Sequence, residues 1–180
     1  MTRRTSAPLL CLVLLALAAP AGAHAQQPPK REGFFFNIGL GAGSLGCSDC
    51  DECVTGLSGG IAIGGALNPQ WTLGAFSNGW TKSENGATLT AGTLVLGARF
   101  YPAVESGFFL LFGLGLGAVE LAAPGFGSAS QTGTGALLGL GWDVRIAENV
   151  SLTPFWNGAG ISFSGGDANF GQLGVGFTIH

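Results

Sequence analysis

Along much of this 180-residue chain, apolar residues recur at every second position. That is the period of a strand whose two faces meet different surroundings. In residues 33–43, Phe34, Phe36, Ile38, Leu40 and Ala42 share one face, while Phe35, Asn37 and glycines share the other. Residues 108–119 repeat the pattern, with Phe108, Leu110, Phe112, Leu114 and Leu116 opposite Gly113, Gly115 and Gly117. Residues 135–146 place Ala136, Leu138, Leu140, Trp142, Val144 and Ile146 opposite Gly139, Gly141, Asp143 and Arg145. Residues 171–180 place Leu173, Val175, Phe177 and Ile179 opposite Gln172, Gly174, Gly176, Thr178 and His180. Residues 57–67, 71–82, 89–101 and 150–163 alternate less cleanly. In residues 89–101, Leu94, Leu96, Ala98 and Phe100 oppose Arg99 and Tyr101; in 71–82, Phe76 and Trp80 fall on the inner face. The pattern predicts eight strands.

Composition decides what the apolar faces meet. Charged residues are 9% of the chain and the mean hydropathy is +0.44, against about 25% charged in ordinary soluble domains. A water-exposed surface so poor in charge should aggregate. The longest apolar run after the first 25 residues, 108–119, has 12 residues, and a spanning helix needs about 20. A bilayer admits one other spanning solution, a closed barrel in which every backbone group is paired. The sequence therefore predicts an all-β fold, an eight-stranded antiparallel up-and-down transmembrane barrel. A soluble lipocalin-like barrel is the rival fold, but it would need charges outside that are missing.

The first 25 residues read as a secretory signal: Arg3 and Arg4, a short apolar stretch over 8–20, and Ala23-His24-Ala25 as an A-x-A cleavage site. This divides the chain into a cleaved signal peptide (1–25), a short periplasmic segment (26–32) and the barrel (33–180). After cleavage five Lys and Arg face ten Asp and Glu, a net charge of −5. No basic patch exists, which argues against nucleic-acid binding. The connections around 68–70, 103–107 and 147–150 are tight and polar. Those over 44–56, 83–87, 122–130 and 165–169 are expected as loops, two of them longer. Turns on the periplasmic side and loops outside are the outer-membrane arrangement. Trp71, Tyr101 and Trp142 fall near strand ends on the turn side, where an interfacial girdle belongs; Trp156 falls mid-strand.

Four stretches, ARFYP (98–102), SGFFLLFGLGLG (106–117), NVSLTPFWNGAG (149–160) and the terminal QLGVGFTIH (172–180), resemble the small eight-stranded outer-membrane β-barrels of the OmpA/OmpX and opacity-protein type. The resemblance covers nearly all of the chain after residue 25, and its motifs are those of a fold and not of an activity. It implies a monomer in outer-membrane lipid, inserted by the barrel assembly machinery. That machinery usually reads a terminal aromatic; here Phe177 stands third from His180.

The expected lumen holds a polar network of Asn37, Arg99, Tyr101, Asp143, Arg145 and Gln172, joined by Asn157 and Thr178 and by Phe35, Phe109, Leu111 and Phe155. Ions in so narrow a space should pair, with Arg99 and Arg145 as partners of Asp143. A narrow pore selected by those arginines is a second reading, and a hydrophobic ligand in a glycine-lined cavity a third. Catalysis is not expected. Lipid hydrolysis needs a nucleophile beside a base, but His180 is the one histidine after residue 25, and no G-x-S-x-G occurs.

The least generic stretch is GCSDCDEC, residues 46–53, in the first external loop. Cys47, Cys50 and Cys53 in an oxidising compartment favour a disulfide with one thiol left over. If reduced, they and Asp49, Asp51 and Glu52 could hold Zn or Cu(I). No other cofactor is expected. This loop is also where a surface partner would dock. The function expected is a structural or surface-interaction role in the cell envelope.

Overall fold

A computed structural model describes residues 31–47, 53–125 and 127–180. The segment read as a signal peptide lies outside these. Among the described residues every regular element is a strand: β1 (Phe34–Cys47), β2 (Val54–Asn68), β3 (Trp71–Glu84), β4 (Ala87–Phe100), β5 (Phe108–Ala123), β6 (Gly127–Trp142), β7 (Val144–Ala147), β8 (Val150–Phe163) and β9 (Gly166–Ile179). β6 and β7 form one stave interrupted at Asp143, since both pair with β8. Each stave pairs antiparallel with its sequence neighbour, and β1 pairs with β9 to close the ring. The result is a closed eight-stranded antiparallel barrel.

Closure turns the period-two pattern into an outside and an inside. Outward positions expose Phe34, Ile38, Leu40, Leu94, Leu96, Leu114, Leu116, Leu138, Leu173 and Val175; inward ones bury Phe35, Phe76, Trp80, Phe109, Leu137 and Phe170. Apolar residues dominate both surfaces, which suits lipid outside and a packed filling inside. Ala98 has outward parity yet is buried, because its register partners Leu73 and Phe112 flank it.

The connections differ from expectation. At the end where β1 begins and β9 finishes (the inner end), they are residues 69–70, 101–107 and 148–149; at the outer end they are 48–53, 85–86, 124–126 and 164–165. The loops expected over 44–56, 83–87, 122–130 and 165–169 are largely strand. Strands of 14–16 residues, with β7 extending β6 further, exceed the 9–11 that a bilayer core requires. The surplus carries hairpins beyond the apolar belt, as the exposed polar run at Ser128, Ser130, Gln131 and Thr132 shows. The β3–β4 hairpin closes in two residues because Asn85 and Gly86 both adopt positive φ (51° and 82°), the backbone of a primed two-residue turn.

Candidate functional site

The lumen is the site the fold builds, and three layers of inward side chains fill it. At the inner end, Asp143 interrupts the β6–β7 stave and is buried. Its carboxylate accepts from the Tyr101 hydroxyl (2.9 Å) and the Thr153 hydroxyl (2.7 Å). Thr153 shares a hydrogen bond with Thr178 (2.8 Å), whose Oγ1 accepts from Asn37 Nδ2 (2.8 Å). One hydrogen-bonded chain thus joins β1, β8 and β9 to Asp143 and to Tyr101, the residue just after β4. Burial, with Asp143 next to it, pushes the Tyr101 phenol up from its ordinary value, so Tyr101 remains a donor.

Arg31 closes this end. Its guanidinium lies 3.7 Å from the Tyr101 ring centroid. It donates to the carbonyls of Val104 (2.9 Å), Ser106 and Pro69. Only 3% of it is exposed. His180 also has inward parity, and its Nε2 is buried without a partner. Burial pulls the His180 pKa down, Asp143 opposes this, and Arg99 and Arg31 reinforce it. The unfolded chain then binds a proton that the fold refuses. Stability is therefore complete above about pH 6.5 and declines as pH falls below that value. His180→Gln is expected to flatten that part of a stability-against-pH curve, measured by urea unfolding between pH 5 and 8.

The middle layer is aromatic. Phe35, Phe76 and Phe109 surround the Arg99 guanidinium at 5.0, 5.4 and 4.7 Å. Phe155 and Leu111 are buried with them. Some inward glycines are seats for these rings. A Cβ on Gly39 would stand 2.7 Å from the Phe155 ring and one on Gly141 2.6 Å from Phe109, whereas at Gly64 the Leu73 carbonyl oxygen is nearer than the Phe35 ring at 2.6 Å. Above them, Asn78 Oδ1 accepts from Asn157 Nδ2 (3.1 Å) and from Gln172 Nε2. The outer end is sealed by Trp80, Phe170, Ile161 and Leu45, all buried. Trp80 Nε1 donates to the carbonyl of Gly43 (3.0 Å).

Of the six residues expected in one network, Tyr101 and Asp143 are bonded directly, and Asn37 joins them through Thr178 and Thr153. Gln172 belongs to the separate upper cluster. Arg99 lies among rings and makes no ion pair with Asp143 among the described residues. Arg145 is not in the lumen network: its side chain turns to the carbonyls of Ala147 (3.2 Å) and Glu148 (2.8 Å). Arg145 keeps inward parity, in register with the buried Ser151, but it stands on the last rung before the β7–β8 turn and its side chain bends to that turn's carbonyls. Tyr101 is wholly buried and takes no part in the girdle, which instead contains Trp71 stacked on Phe100 (4.6 Å) and Phe108 beside Trp142 (6.0 Å). Arg31 was missed, for it lies before the first periodic strand.

Cys47 ends β1, and Cys53 is an exposed free thiol just before β2. Residues 48–52, with Cys50, lie outside the described residues, so the disulfide and metal expectations fall there. Among the described residues no cluster of His, Cys, Asp and Glu could hold a metal ion.

The family model described as the outer membrane protein beta-barrel domain matches residues 9–180. The chain belongs to that family. Its outward apolar belt is therefore a surface for bacterial outer-membrane lipid. No curated protein sequence matches it. Solved structures that share the fold include these two. Neisserial surface protein A is 18% identical with a TM-score of 0.62, the match covering 82% of this chain and 97% of that one. Ail, the attachment invasion locus protein of Yersinia pestis, is 14% identical with a TM-score of 0.57, covering 82% and 99%. Ail has also been solved in complex with the heparin analogue sucrose octasulfate.

Proposed function

We propose that this barrel is a monomeric, non-catalytic envelope protein, exported with cleavage of residues 1–25, that acts as a scaffold for its outer end. The carrying observation is the filled lumen. Arg31, Tyr101 and Asp143 close one end, and Trp80, Phe170 and Ile161 the other. The inner cavity beside Arg99 measures about 30 Å³. Ligand pockets are typically some 300–1,000 Å³, so neither a hydrophobic ligand nor a conducting path is favoured. Of the candidate ligand contacts, Phe35, Phe109 and Leu111 belong to the buried core cluster, and Phe155 is buried as well. Purified protein in planar bilayers is expected to give no stable conductance steps; steady anion-selective steps would restore the channel reading.

Surface contact is then left to the outer end, and its charge narrows the partner. Lys82 is held by Glu84 at 2.8 Å. Glu120, Asp167 and the sequence of residues 49–52 add negative charge there. A polyanion of the kind seen on Ail finds no basic patch to bind. The partner favoured is neutral or basic, docked on the first loop and the projecting β5–β6 hairpin. The refolded protein is expected to pass through a heparin column at low salt unretained. Retention released by salt would reverse the charge argument.

A further inference from the structure

We propose that the lumen cavity beside Arg99 is a binding site for one small monovalent anion, with chloride as the representative ligand. Arg99 is 4% exposed and its Nε has no acceptor. The three phenyl faces around it attract the cation, but they supply no countercharge. Asp143 is directed elsewhere, with one oxygen taken by Tyr101 and the other by Thr153. Among the described residues the buried formal charges are Arg31, Arg99 and Asp143, which leaves one positive charge in excess. An uncompensated buried ion is strongly unfavourable.

The space next to Arg99 suits one compensating ion. Its volume is about 30 Å³, where one water-sized sphere needs about 10–15 Å³. Asn37, Asn78, Arg99, Thr153 and Asn157 line it with polar groups, and Phe76, Phe109 and Phe155 line it with ring edges and faces. That is room for a small anion such as a halide. The sealed ends make the ion a structural component taken up on folding, not a permeant species.

The test uses the full folded barrel in nonionic detergent, free of halide. Chloride or bromide is titrated at constant ionic strength against gluconate, which is too large to enter. The thermal midpoint is followed by tryptophan fluorescence. Both halides are expected to raise the wild-type midpoint saturably by several degrees, as a ligand bound only by the folded state must. Arg99→Met should abolish that rise. Equal midpoints in chloride and gluconate, or the same chloride response in Arg99→Met, would overturn the proposal. Should Arg99→Met not fold, wild-type crystals grown in bromide decide. An anomalous peak against the Arg99 guanidinium is expected, and its absence would refute the site.

Discussion

Asp143→Ala is expected to lower the unfolding free energy by about 3–5 kcal/mol, the scale seen when a buried charge network loses one partner. The carboxylate accepts two buried hydroxyl bonds, from Tyr101 and Thr153. Hydrogen bonds to a charged group contribute about 1.5–3 kcal/mol each. Its loss would also leave Arg31 and Arg99 without the single buried negative charge among the described residues. Tyr101→Phe deletes one of the two bonds and leaves Asp143 charged. It should cost less, about 1.5–3 kcal/mol, since Arg31 keeps its aromatic seat. Urea unfolding from lipid vesicles, followed by tryptophan fluorescence, measures both. If Asp143→Ala unfolds within about 0.5 kcal/mol of wild type, the inner-end network contributes little and another feature must hold that end closed.

What the sequence revealed of this architecture, and what it hid, follows from the physics of each signal. Period-two alternation is local, so the inward and outward sets of β1, β5, β6 and β9 could be read directly. The faces of Phe76 and Trp80 in β3 could be read as well. Signals that depend on register or on exceptions to period could not. Arg145 keeps its inward parity opposite Ser151, yet it ends the ladder, and its guanidinium bends to the carbonyls of the adjoining turn, Ala147 and Glu148, which no period foretells. Arg31 sits outside any period, and nothing local says that it will lie on Tyr101, 70 positions away in the chain. The hairpin tips rich in Gly, Ser and Asn looked like loops. Ladder pairing continues through them to Asn85 and Gly86, and to Ala123 opposite Gly127. The polar residues there report solvent and not an absence of strand.

The glycines were the most ambiguous feature, since a bare lumen position could mean a cavity, a flexible backbone or a seat for a neighbour. The structure supports the seat, and Gly39→Val tests it. Gly39 faces the lumen from β1, and a Cβ there would meet the Phe155 ring at 2.7 and 3.2 Å. Its nearest backbone neighbour, Gly176 Cα, would be at an ordinary 3.5 Å. The clash is thus with one side chain on β8. Overpacking of this kind costs about 1–3 kcal/mol, and a filled lumen with a cavity of about 30 Å³ gives the ring little room to retreat. Gly39→Val is expected near the upper end of that range. Phe155→Ala alone should also destabilise, by about 3 kcal/mol or more, through the void it leaves. The decisive quantity is the coupling. If the glycine exists to seat the ring, the added valine partly refills the space that Phe155→Ala empties. The double variant should then be more stable than the sum of the two losses predicts, by about 1–3 kcal/mol. Strict additivity in the same urea titration would mean that Gly39 is there for its backbone alone, and the seat would have to be abandoned as the reason for glycine on the inner face.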